Sequence, residues 1–132
     1  MKPFLLGVAL FSTLWICPVA QAENPEHLKQ LMKSQSCPNC DLQGADLSAM
    51  NLRNANLAGA NLTGANLNLA DLTAANLSNA ILTEASLAWT NFIDADLEGA
   101  NLSQAKFEGG ERLGQALSFE KATLPDGTIA FP

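Results

Sequence analysis

The chain has 132 residues, a net charge of −6, three cysteines, one histidine and no tyrosine. A chain this short holds one folded unit. Its acidic balance argues against nucleic-acid binding through phosphate contacts, which need clustered lysine and arginine.

Residues 1–22 read as an export signal. Lys2 supplies a positive start, Phe4 to Ile16 an apolar stretch, and Ala20-Gln21-Ala22 an A-x-A cleavage site. The apolar stretch is shorter than the ~20 residues a comfortable membrane span requires, and a retained anchor is the alternative reading. Cys17 follows the large Ile16, where a lipid-attachment motif has a small residue, so lipidation is rejected. Cleavage removes Lys2, the only charge in the segment, and leaves 110 residues at −7 with Cys37 and Cys40 as the remaining thiols. The destination implied is a periplasm, a thylakoid lumen or the cell exterior, with no membrane attachment once the signal is gone.

Residues 23–36 predict a short capping helix. Asn24-Pro25-Glu26 is a start signal: a capping side chain, a proline in the first turn and an acid beside the helix N-terminus. Leu28, Leu31 and Met32 form one apolar stripe, so the helix is expected from about Pro25 to Ser34, covering the open N-terminal end of the repetitive region after it.

Cys37-Pro38-Asn39-Cys40 has C-x-x-C spacing, and three readings compete. Redox catalysis needs a strand and helix around the motif, which the pattern lacks. Zinc needs two further ligands, and His27 is the sole histidine. A structural disulfide tying the helix to the first coil is favoured in an oxidising compartment, with free thiols as the alternative. No metal and no cofactor are expected.

From Leu42 onward every fifth residue is bulky and apolar: Leu42, Leu47, Leu52, Leu57, Leu62, Leu67, Leu72, Leu77, Leu82, Leu87, Phe92, Leu97, Leu102 and Phe107. An alanine stands two residues before each, except at Cys40, Met50 and Thr90. A period of five fits neither a helix at 3.6 nor a strand at 2. Fixed self-similarity signals a solenoid whose units bury their apolar side by stacking. Ala60-Asn61-Leu62-Thr63-Gly64, Ala65-Asn66-Leu67-Asn68-Leu69 and Ala95-Asp96-Leu97-Glu98-Gly99 resemble pentapeptide-repeat proteins, whose consensus is A-(D/N)-L-x-x. The resemblance implies an all-β solenoid, a right-handed quadrilateral β-helix over residues 37–110, with four pentads per coil. The fourteen pentads then make 3.5 coils, a stack about 17 Å tall. The bulky residue and the alanine point inward, the Asn or Asp outward, and residues twenty apart stack. Outward Asn columns such as Asn56 above Asn76 are expected to form side-chain ladders.

Residues 111–132 read as an insertion followed by degenerate repeats or a cap. Gly109-Gly110-Glu111 marks a loop, the insertion runs from Glu111 to Leu117, and Phe119, Leu124 and Ile129 restore the period in a new register. Pro125-Asp126-Gly127 is a turn.

Under the twenty-residue register Leu69 lies beneath Trp89 on the outside, with Ile93 around the next corner. This is a possible protein contact on a wall otherwise lined by Asn, Asp, Ser, Thr and Gly. The bland alternative has Leu117 or Phe119 of the tail covering it. Asp94, Asp96 and Glu98 read as a solvated acidic strip. No nucleophile sits next to a base, and Gly44, Gly59, Gly64 and Gly99 do not open a helix, so neither catalysis nor a phosphate cradle is expected. The reading is a non-catalytic structural or protein-interaction module with an unknown protein partner, acting as a monomer or weak dimer. Relatives with an export signal, a capping helix and a Cys pair look like lumenal or periplasmic cyanobacterial proteins. The alternative implied by the resemblance is a DNA mimic that inhibits a type II topoisomerase.

Overall fold

The computed structural model describes residues 24–108, 115, 116 and 118–130. The signal segment, the Gly109-Gly110-Glu111 loop and Leu117 lie outside these.

Each pentad makes one side of a square. The carbonyl of the inward residue accepts the N–H three positions on, as in Ala45 N to Leu42 O at 3.0 Å, closing a tight turn. The residue two after the inward one has a positive φ throughout, from 56° at Asp94 to 72° at Gly44. That is the signature of a type II turn, which Gly and Asn accommodate at least cost. Between turns the chain is extended and bonds to the coil above: Leu42 N to Asn61 O at 2.8 Å, and Asn61 N to Cys40 O at 2.8 Å.

The parallel bridges define four walls. Ser36, Asn56, Asn76, Asp96 and Ser118 pair in series along the first, and Asp41, Asn61, Ile81, Asn101 and Thr123 along the second. Asp46, Asn66, Ser86 and Lys106 form the third, and Asn51, Asp71 and Asn91 the fourth. The inward leucines from Leu42 to Leu102, together with Phe92, are buried in one continuous core. The neighbouring alanines are buried with them, because at the corner only a small side chain fits. Phe107 packs against this core half-buried. Thr90 replaces alanine at one corner, and its buried hydroxyl donates to Leu67 O at 2.8 Å.

Several expectations are corrected. The stack begins one pentad earlier than Leu42: Cys37 N donates to Asn56 O, so Cys37 fills a leucine slot and Cys40 an alanine slot. The first wall therefore has five layers, about 19 Å of stacking rather than 3.5 coils. The Cys37–Cys40 disulfide is accordingly a staple across the first turn and does not join helix to coil. In the unfolded chain so small a ring contributes about 2 kcal/mol of stability. Reduction is expected to lower the thermal midpoint without unfolding the protein, because two thiols still fill their slots; calorimetry with and without reductant measures this.

The tail resumes the stack with a two-residue shift. Asp96 pairs with Ser118 and Asn101 with Thr123, and Phe119 packs on the core. Ile129 does not continue the walls. Gly127 turns the chain at φ 86°, and Ile129 pairs antiparallel with Thr123, leaving Ile129 52% exposed.

The helix α1 (Pro25–Ser34) lies under the first coil. Asn24 caps it by accepting from Glu26 N at 3.0 Å, and Leu31 is fully buried. The stripe is narrower than expected, since Met32 is 63% exposed. Polar groups in and beside the helix occupy backbone positions that a coil below would otherwise fill. His27 Nδ1 accepts from Asp41 N at 2.8 Å, Gln30 Nε2 donates to Ser36 O and Gln35 Nε2 to Asn51 O. An open sheet end is thereby partly sealed.

The outward Asn and Asp residues form side-chain ladders between coils in two columns, Asn66 Nδ2 donating to Asp46 Oδ1 at 3.2 Å and Asn91 Nδ2 to Asp71 Oδ1 at 3.4 Å, but not at the expected Asn56–Asn76 pair. Each turns back on its own pentad: Asn56 accepts from Ala58 N at 3.2 Å and Asn76 from Ser78 N at 2.9 Å. A local N–H competes successfully for the side-chain oxygen. Where Thr or Ser follows two positions on, its hydroxyl joins, as Thr63 Oγ1 does to Asn61 Oδ1 at 2.6 Å. Ser86 lacks this reach, and Asn68 from the coil below accepts the Ala88 N–H instead, at 2.9 Å.

These clamps hold three carboxyls below the usual aspartate range: Asp71 through the Thr73 hydroxyl, Asp46 through Ser48 and Asp126 through Thr128. A lowered folded-state pKa stabilises the protein above the unfolded value, near pH 4, and that stabilisation is lost as pH falls through the folded value. The urea midpoint is expected to drop below about pH 4. Combined Asp46→Asn, Asp71→Asn and Asp126→Asn, which keep the clamp but cannot titrate, should flatten part of that drop.

Candidate interaction surface

The positive-φ position of each turn faces solvent and in most pentads carries a small or polar residue. Leu69 (φ 64°) and Trp89 (φ 59°) are the exceptions. They stand one above the other on the third wall, linked through Leu69 N to Ala88 O at 2.8 Å. Leu69 is 64% exposed and Trp89 58% exposed, so the tail residue Phe119, which packs on the core, does not bury them. Ala49 continues the column below. Ile93 is half-buried on the fourth wall, past the corner. A bulky side chain in the left-handed region costs on the order of 1 kcal/mol relative to glycine, and these two bury little in return.

Beyond Ile93 the same course of chain turns acidic. Asp94 is exposed at the next corner, and Asp96 accepts the Glu98 N–H at 3.0 Å on the first wall. Glu98 lies 4.0 Å from Lys121. Lower on the fourth wall, Arg53 pairs with Asp71 at 3.0 Å. The acidic strip follows Trp89 and Ile93 directly along the chain, and the turn at every fifth residue sets the two on adjoining walls.

The family model described as pentapeptide repeats (8 copies) matches twice, at residues 40–74 and 70–109. The chain belongs to the pentapeptide-repeat family. Its fold is the right-handed quadrilateral β-helix of these proteins, with one short helix in the described residues. Pentapeptide-repeat proteins are structural and interaction modules and are generally non-catalytic. Among solved structures, the pentapeptide-repeat protein Rfr23 from Cyanothece 51142 is 30% identical, covering 74% of this chain and 79% of its own, with TM-score 0.53. HetL from Nostoc sp. strain PCC 7120, involved in heterocyst differentiation regulation, is 36% identical over 72% of this chain, with TM-score 0.41. This chain spans 40% of HetL's length. A pentapeptide-repeat protein from the thylakoid lumen of Arabidopsis thaliana is 24% identical, covering 76% of this chain and 73% of its own, with TM-score 0.44. No curated protein matches. Among the described residues no helix is long and apolar enough to cross a membrane.

Proposed function

We propose that this pentapeptide-repeat protein is an exported, non-catalytic interaction module that contacts a protein partner through the corner formed by Leu69, Trp89 and Ile93. Residues 1–22 are removed on export, residues 23–36 cap the lower end, 37–110 form the tower and 111–132 close the top. The tower acts as a monomer or weak dimer. The observation that carries the reading is the exposed Leu69–Trp89 column, since an exposed tryptophan beside a second apolar residue suits a contact anchor.

The alternative of DNA mimicry is less well supported. A duplex mimic needs regularly spaced negative charge along a wall, whereas the third-wall column reads Asp46, Asn66, Ser86, Lys106.

Replacing Leu69 and Trp89 by asparagine tests the assignment, because asparagine tolerates positive φ well. The double variant is expected to unfold at the wild-type temperature or a few degrees above it, which thermal denaturation measures. Tagged protein recovered from its native compartment should show a new N-terminus after residue 22 and hold a stoichiometric partner that the double variant loses. A partner retained by the variant overturns the assignment to this corner.

A further inference from the structure

The course from Trp89 to Glu98 has an apolar half and an acidic half, separated by one corner of the square. Trp89 and Ile93, with Leu69 one layer below, make the first; Asp94, Asp96 and Glu98 make the second. No lysine or arginine interrupts residues 89–98, and the cation beside Glu98 is Lys121 at 4.0 Å, too long for a strong pair. The halves are fixed relative to each other by backbone bonds to the coil below, Asn91 N to Ala70 O and Asp96 N to Ala75 O.

We propose that this face takes a protein segment whose apolar anchor is followed by lysine or arginine residues, the anchor seated at Leu69–Trp89 and the cations over Asp94, Asp96 and Glu98. The proposal rests on the corner being the contact surface and adds the chemistry of what binds there. Complementary charge at the rim sets specificity and encounter rate more than affinity. A second copy of this chain is the wrong occupant. It brings a net charge of −6 against −6 and offers no cationic run to the acidic half.

The test uses the full chain with Trp15→Phe, which leaves Trp89 as the only tryptophan and therefore the reporter. The probes are two blocked peptides, each with a leucine–phenylalanine anchor, one followed by a short run of lysines and the other by an equal run of glutamates. The lysine peptide is expected to shift Trp89 emission saturably and to bind at least about tenfold tighter than the glutamate peptide. High salt should narrow that ratio. Asp94→Lys with Glu98→Lys should reverse the preference, and both exposed positions tolerate the change, Lys121 already occupying the same positive-φ turn position as Asp94. Equal binding of both peptides, abolished by Leu69→Asn, overturns the charge assignment while the corner survives as a contact surface. Absence of any saturable shift also overturns the proposal. Sedimentation that reveals self-association lost in the asparagine double variant overturns it in favour of a second copy.

Discussion

Leu72→Lys is expected to abolish the native fold. Leu72 is fully buried on the fourth wall, in the layer between those of Leu52 and Phe92. The interior is narrow at each level, and walls enclose it on four sides, so a lysine there has no path along which to carry its ammonium to water. The charge must be neutralised or the coil must open. Either route costs about 5 kcal/mol or more, comparable with the whole stability of a small domain. Leu72→Ala leaves a cavity and should cost about 2–5 kcal/mol, while Leu72→Met should cost under about 1.5 kcal/mol. Circular dichroism and urea titration separate the three. A lysine variant that unfolds cooperatively near the wild-type midpoint would contradict a filled interior.

Gly59→Ala should cost about 2 kcal/mol through two separable causes. Gly59 has φ +67°, where a Cβ is strained, and an added Cβ there would collide with the Asn39 side chain of the coil below. The same relation recurs two levels up, where a Cβ at Gly99 would come within 2.5 Å of Asn79 Oδ1. Asn39, Gly59, Asn79 and Gly99 occupy one column of turns, so asparagine and glycine alternate up the tower. Removing the obstructing side chain with Asn39→Gly in the Gly59→Ala background should relieve the collision and leave the strain. The double variant is then more stable than the sum of the single changes implies, by about 1 kcal/mol. Additive behaviour in a denaturation cycle would show that the two side chains do not meet.

What the amino-acid sequence disclosed was whatever repeats. Leucines at a fixed interval place the inward positions, and the twenty-residue register brings Leu69 under Trp89. The exceptions were harder to see. Cys37 stands five before Leu42 and occupies a leucine slot, but a cysteine does not look like a bulky apolar residue, so the inward series reads as starting at Leu42. At Asn61 and Thr63, and wherever a Thr or Ser follows two positions later, that residue signals a local partner for the outward side chain, a competitor that the expectation of ladders leaves out. Ile129 kept the period by coincidence, since Gly127 had already reversed the chain. Met32 fits a helical stripe but falls outside the narrow strip that so slender an interior can cover. The acidic half of the candidate surface reads from the sequence as a solvated strip, because its meaning depends on sharing a course with Trp89.

The strictly recurring offset between bridged positions also bears on how the protein comes to be folded. Asn56 meets Asn76, Asn61 meets Ile81, and even past the insertion the offset grows only from 20 to 22. No bridge waits for the two ends of the chain to find each other, so each closure carries nearly the same entropic cost as the last. A polypeptide threaded through a narrow pore in the direction of synthesis can therefore lay down its helix and stapled turn first and add level upon level, with its unfinished remainder still on the far side.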